Sequence, residues 1–309
     1  MRRSGRRARP AWPCARSSLT SPKGSSLAAV DLHSHTTASD GTLAPSDLVA
    51  LAAKHGVGVL AVTDHDSTAG IAEARAAAAA LPGLTIVPGI EINCDVEGAE
   101  IHVLGYFLDL DADWFQEFLR EQRAERAARI HRIVAKLASL GIFIDASDVF
   151  ALVKEGSAGR PHVAQAMVHR GYVRSVREAF DRYLKSGGPA SVERRKLTPE
   201  DAIAVIRRAR GVPVIAHPGL ANRDAMIGAL ADAGLQGIES YYPEHSAGQT
   251  QIYLDLCRRH GLVATGGSDF HGPTVSSIPH PGSHPVPPAA WDDLRARAAA
   301  VGAPGVLEP

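Results

Sequence analysis

The order of apolar runs predicts an α/β fold, a parallel sheet or barrel interrupted by a helical insertion. Three observations carry this expectation. Strand-like runs alternate with helical stretches up to Phe107 and again from Thr198 to Thr265. Residues 111–185 hold no convincing strand. Histidines and carboxylates stand at the ends of most of the strand candidates, where ordinary packing does not call for them.

The elements follow in order. Ala28–Leu32 is a short apolar strand that delivers His33 and His35. Pro45 to His55 reads as a helix, with Pro in its first turn and Gly56 after its end. Gly58–Val62 is a buried strand leading into Thr63-Asp64-His65-Asp66. An alanine-rich helix, Ser67–Leu81, stops at Pro82-Gly83. The strand Leu84–Val87 leads through Pro88-Gly89 to Glu91, and Ile101–Phe107 carries His102 near its start. Asp113–Leu140 is a long amphipathic helix, and Pro161–Arg170 and Ser175–Lys185 are two more. Thr198-Pro199-Glu200-Asp201 has the cap, proline and early acids of a helix start. The strand Val212–Ala216 then delivers His217. Next come helix Arg223–Ala233, strand Gly237–Tyr241, helix Gln249–His260 and strand Leu262–Thr265, which runs into Asp269 and His271. Gly272–Pro288 reads as loop and Ala289–Val301 as a closing helix. The expected organisation is a basic disordered tail at 1–27, a barrel made of 28–110 and 196–309, and a substrate-capping helical insertion at 111–195.

Composition narrows the class. No apolar run approaches the roughly 20 residues that span a bilayer. Residues 1–27 hold seven basic and no acidic side chains, so the rest carries 26 basic against 33 acidic, near −7. A negative body does not suggest duplex DNA as a partner. Cys14, Cys94 and Cys257 are far apart and form no CxxC, which fits a cytoplasmic setting.

Nine side chains suggest metal: His33, His35, Asp40, His65, Glu91, His102, His217, Asp269 and His271. Residues two apart on a strand face the same way, so one ion can take both rings of His33-x-His35, and Asp269-x-His271 repeats that spacing. Singly these signals are weak. HxH occurs by chance, Asp40 before Gly41 is ordinary turn chemistry, and a lone buried histidine is usually just hydrogen-bonded. A lone Glu91 after a buried strand is harder to dismiss, because burying an unpaired carboxylate is costly. Together, mixed His and carboxylate donors without Cys suit Mn²⁺, Zn²⁺ or Fe²⁺, and nine donors suffice for two or three ions if a carboxylate bridges. Such ions supply hydroxide at neutral pH and neutralise phosphoryl oxygens.

These motifs resemble the PHP (polymerase and histidinol phosphatase) superfamily. The match rests on Asp31-Leu32-His33-Ser34-His35-Thr36, Ser39-Asp40-Gly41, Thr63-Asp64-His65-Asp66, Pro88-Gly89-Ile90-Glu91, His102, Ala216-His217-Pro218-Gly219 and Gly267-Ser268-Asp269-Phe270-His271. The resemblance implies a distorted seven-stranded (β/α) barrel with three metal ions at the C-terminal strand ends. It implies one ion on His33, His35, Glu91 and Asp269, a second on Glu91, His102 and His217, and a third on Asp40, His65 and His271. It further implies that a metal-bridging hydroxide attacks phosphorus in line. Ser157-x-Gly159-Arg160-Pro161-His162-Val163-Ala164, with Asp40, resembles the branch holding nucleoside 3′,5′-bisphosphate phosphatases and enzymes that trim short RNA from its 5′ end. Histidinol-phosphatase-like members more often have His at the position of Asp40.

The expected substrate is therefore a small nucleotide. Arg160 and His162, just before a helix, are candidate anion binders, with Arg126, Arg129 and Lys185 as further cations. For the helix arginines a solvated face is an equal reading. His245 is the candidate proton donor to the leaving oxygen, or else a simple surface histidine. A metal-holding module without catalysis and an amidohydrolase barrel are the other classes. All nine donor positions are filled, which disfavours the former; Asp269-x-His271 and the lack of a matching lysine disfavour the latter.

Overall fold

The computed structural model describes residues 28–153, 156–192, 197–273 and 278–304. The expected basic tail, residue 195 at the insertion boundary, and part of the loop 272–288 lie outside the described residues. Seven strands form one sheet in chain order: β1 (Ala29–Asp31), β2 (Val57–Val62), β3 (Thr85–Val96), β4 (Ala99–Tyr106), β5 (Val212–Ile215), β6 (Gly237–Tyr241) and β7 (Val263–Gly266). The end of β7 returns beside β1. Leu32 donates its N–H to the Gly266 carbonyl at 3.1 Å, and Ser34 bridges Phe270 in parallel register. The sheet thus curls into a distorted barrel.

The sheet is mixed, not parallel throughout. β4 runs antiparallel to both β3 and β5. The reason is covalent: only Glu97 and Gly98 separate β3 from β4, too few residues for a parallel crossover. The strand expected to end at Val87 continues to Val96, so Glu91 lies inside a twelve-residue strand. The first part of β3 pairs with β2 and the rest with β4.

Helices α1 (Pro45–Lys54) and α2 (Gly70–Ala78) cover the first strands. Helix α3 (Asp113–Ser139) leaves the barrel after β4. Its Phe115 and Leu119 pack with barrel residues such as Ile92 and Ile206, while Ile130, Ile133 and Leu137 belong to a separate apolar cluster. That second cluster is completed by α4 (Ala146–Phe150), α5 (Arg160–His169), α6 (Val176–Ala179) and a π-helical turn, Phe180–Leu184. The long helix is therefore shared by two cores. α7 (Pro199–Arg208), α8 (Pro218–Ala221), α9 (Ile227–Ala233, preceded by a 3₁₀ turn at Asp224–Met226), α10 (Ala247–His260) and α11 (Pro288–Ala300) complete the described helices. None is long and apolar enough to cross a membrane.

Candidate metal centre

All nine predicted donors converge at one end of the barrel. Glu91 and His102 stand within β3 and β4, and short irregular links beyond the other strands deliver the remaining seven. Asp66 donates its N–H to the Glu91 carbonyl at 3.0 Å, and Glu91 donates to Asp64 O at 3.2 Å, which sets His65 beside Glu91. His217 and Asp269 adopt left-handed φ values of 26° and 53°, as does Asp66 at 49°. Such backbone is costly for non-glycine residues and persists where its surroundings demand it.

Glu91 is the hub. Its Oε1 lies 2.7 Å from His102 Nδ1 and 3.1 Å from His217 Nε2. Its Oε2 lies 2.9 Å from His65 Nδ1, 3.3 Å from His35 Nε2 and 3.5 Å from His33 Nε2. Five imidazoles therefore surround one carboxylate that is 1% exposed. Asp269 Oδ1 approaches His35 Nε2 at 3.1 Å and His33 Nε2 at 3.3 Å. Asp40 stands opposite His271 at 3.4 Å and His65 at 3.7 Å. The donor atoms cluster as His35, Asp40, His65 and His271; as His33, His35 and Asp269; as His33, Glu91 and His217; and as His65, Glu91 and His102.

The donor set fits divalent cations. Asp40 Oδ1, Asp269 Oδ1 and His65 Nδ1 are buried, and the groups they face are other donors of the same cluster. The Nε2 atoms of His33 and His35 face each other at 3.1 Å. Leaving such groups uncompensated costs several kcal/mol each, so the arrangement demands positive charge. The titration behaviour agrees. Burial would raise Glu91, but His65, His102 and His33 hold it well below the usual carboxylate range. Burial would lower His33, yet Asp269, Glu239 and Glu91 raise it well above the usual imidazole value. His35 is pushed up to about 10, because hydrogen bonds to Asp269 and Glu91 outweigh its burial.

A surrounding layer orients these donors, and sequence reasoning missed most of it. Glu239 on β6 accepts His33 Nδ1–H at 2.9 Å and the His217 N–H at 2.7 Å. That leaves His33 Nε2, turned towards Glu91 and Asp269, as the nitrogen that would hold an ion in place of its proton. Tyr242 donates its hydroxyl to Asp269 Oδ2 at 3.0 Å. Asp64 accepts from Thr36 N, Thr36 Oγ1 and Ser39 Oγ at 2.6–2.7 Å, pinning the loop that presents Asp40. Gly267 permits the last strand to pass His33: a Cβ there would lie 2.4 Å from the His33 backbone nitrogen. Glu239 was detectable, as a carboxylate in the middle of an apolar strand.

A cavity of about 210 Å³ opens over the donors. Arg126, Arg129 and Arg160 line it together with Asp40, His65, Glu91, His102, His217, Asp269 and His271. Arg126 is bound to Asp66 and Asn93, and Asn93 Nδ2 faces His102 Nε2 at 2.7 Å. Arg160 and Arg129 share Glu100. His33 and His35 lie beneath the lining, and none of the three remaining candidates for substrate binding or proton transfer is part of it. His162 is buried, with Nδ1 accepting the Gly159 N–H at 3.1 Å in the first turn of α5. Lys185 is exposed beyond the π-helical turn. His245 has both ring nitrogens engaged by backbone, Nδ1 with Ser240 O at 3.2 Å and Nε2 with Gly219 N at 3.3 Å.

The comparisons with known proteins agree with this geometry. The PHP domain family matches residues 31–190. The chain is 36% identical over 249 residues to the 5′-3′ exoribonuclease Rnm of Escherichia coli (strain K12), covering 79% of this chain and 85% of that protein. It is 34% identical over 281 residues to a 3′,5′-nucleoside bisphosphate phosphatase of Chromobacterium violaceum, covering 88% and 98%. A solved metal-dependent phosphoesterase from Bifidobacterium adolescentis superposes with a TM-score of 0.79 at 32% identity, over 87% of this chain and 96% of that one. With its nine-donor centre and this likeness along most of its length, the chain belongs to the PHP domain family.

Proposed function

We propose that this chain is a metal-dependent phosphoesterase that hydrolyses small nucleotides, above all the 3′-phosphate of nucleoside 3′,5′-bisphosphates. The single observation that carries the reading is Glu91, one carboxylate among five imidazoles, at the floor of an arginine-lined cavity. Nine donors suit two or three ions, three being the number the family resemblance implies; Glu91 would be shared between them, with Mn²⁺, Zn²⁺ or Fe²⁺ as the candidates. When bound, such ions supply hydroxide from water at neutral pH and neutralise charge on a phosphoryl group. The chain's own residues do the rest. Glu239 holds the His33 tautomer, and Tyr242 and Asp64 fix the Asp269 and Asp40 presentations. Arg126, Arg129 and Arg160 offer fixed donors for phosphate oxygens beside the metal donors. His245 is better suited to holding the Pro218-Gly219 turn behind His217 than to proton donation.

A second reading, 5′-3′ trimming of short RNA, is favoured by a further cavity of about 460 Å³. It adjoins the first through Glu100 and Arg129 and could take a second nucleotide. The experiment is a substrate panel with Mn²⁺-loaded protein: adenosine 3′,5′-bisphosphate, a 5′-phosphorylated trinucleotide, histidinol phosphate and an aryl phosphate. Phosphate release from the bisphosphate supports the first reading, and mononucleotide release from the trinucleotide supports the second. No turnover of either overturns both.

A further inference from the structure

Leu220 lines the metal cavity, yet it is 53% exposed. It stands on α8, the single turn that follows the donor His217. That turn is held in place. Leu220 donates its N–H to the His217 carbonyl at 3.0 Å, and Gly219 donates to His245 Nε2 at 3.3 Å. A Cβ at Gly219 would lie 2.7 Å from the His245 ring, so the turn already packs closely there. The backbone therefore presents the leucine at a fixed position. The other large apolar side chains that stand exposed among the described residues, Leu140, Phe143, Ile252 and Val301, are not part of this lining. From the insertion the same lining receives Pro161 and Phe180, both partly exposed, and the buried Ile130 and Ala158. Phe180 opens the π-helical turn, and the Arg160 guanidinium carbon lies 5.7 Å from its ring centre. The cavity thus joins two chemistries. Its metal donors and arginines suit phosphate oxygens, and its apolar residues suit an uncharged ring.

We propose that Leu220 and Phe180 form the seat of the substrate's nucleobase, Leu220 supplied by the barrel and Phe180 by the insertion. This rests on the nucleotide reading above. The phosphates of a nucleotide are drawn to the metal donors and arginines, which leaves the apolar residues to its uncharged base. Covering Leu220 removes apolar surface from water, and the Phe180 ring gives a base an aromatic surface to pack on. A sugar phosphate without a base gains nothing from this seat. The two residues then make the site select nucleotides over other phosphate esters of the same charge.

The test uses Mn²⁺-loaded wild type, Leu220→Ala and Phe180→Leu. Calorimetry compares adenosine 5′-monophosphate with ribose 5-phosphate, its counterpart without the base. Wild type should bind the nucleotide about tenfold more tightly or better, the scale at which a base packs on a protein surface. Leu220→Ala should bring that preference close to parity, and Phe180→Leu should reduce it. Leu220 is more than half exposed, so its truncation empties no core, and Phe180→Leu keeps an apolar side chain against the insertion's cluster. With adenosine 3′,5′-bisphosphate as substrate, Leu220→Ala should raise KM about tenfold and leave kcat within about twofold. Equal affinity of wild type for the two ligands, no binding of either, or an undiminished preference in folded Leu220→Ala overturns the seat. If wild type turns over no nucleotide, the proposed function fails, yet the preference for the nucleotide over the sugar phosphate still decides the seat. If it turns over the bisphosphate but shows no such preference, the function stands and the seat falls.

Discussion

Glu239 accepts the Nδ1 hydrogen of His33 at 2.9 Å, with neither side chain exposed. A buried carboxylate behind a donor histidine fixes ring orientation and raises the basicity of the far nitrogen. Glu239→Gln keeps the shape and removes the charge. It should lower metal affinity or activity about 10- to 100-fold. Metal content per chain after dialysis, read beside kcat, checks this, and full retention of metal would show that Glu239 does not support His33.

Chelation should abolish activity and also lower the melting temperature, because ions that bind only the folded chain stabilise it by mass action. Mn²⁺ should restore both. A chelated protein that melts as before would mean that the nine donors hold no ion in the folded state.

The metal-stripped protein should be sensitive to alkali. His35 is raised from 6.5 to about 10 by hydrogen bonds to Asp269 and Glu91 that outweigh its burial. A raised folded-state value contributes stability that is fully present below the unfolded value and is lost as pH rises through the folded one. His33, His217 and His271 are raised as well. Melting temperature of the stripped protein should therefore fall from about pH 6.5 towards pH 10, while the Mn²⁺-loaded protein holds. Parallel curves for the two forms would contradict the view that ions replace these protons.

Arg160 lines the cavity, where it pairs with Glu100 and donates to the Leu184 carbonyl. Arg160→Ala should raise KM for a bisphosphate by about tenfold or more, the worth of a charge-assisted contact, and leave an aryl phosphate nearly unaffected. Equal changes on both substrates would assign Arg160 to the fold alone.

Gly267→Ala should destabilise the protein by about 2 kcal/mol or more, since its Cβ meets rigid backbone. Denaturant unfolding measures it, and a neutral change would mean that β7 can retreat from His33.

Much of the site could be read in advance because metal donors carry their own signal. His33-x-His35 and Asp269-x-His271 show period-two spacing, and Glu91 stands out as a carboxylate among apolar neighbours. The strand order was harder. Pro88 and Gly89 look like a stop, but Pro88 needs no N–H where β3 leaves β2, and the strand runs on to Val96. The antiparallel β4 was signalled by the missing helix between Glu91 and Ile101. His162 and His245 lie outside the lining of the metal cavity and each bonds backbone, since a histidine near a motif is as easily a backbone hydrogen-bonding group as a chemical one. Glu100, Asn93 and Tyr242 gain their meaning from partners far away in the chain, Arg160, Arg126 and Asp269.

The most direct measurement is phosphate release from adenosine 3′,5′-bisphosphate by Mn²⁺-loaded wild type, with His65→Ala as the control. His65 touches both Glu91 and Asp40, so its loss should break the centre without touching the arginines. Rapid release by wild type with at least about a hundredfold loss in the variant is the expected result for removal of a metal donor. Equal release by both proteins, or none by wild type, would contradict a phosphoesterase built on these nine residues.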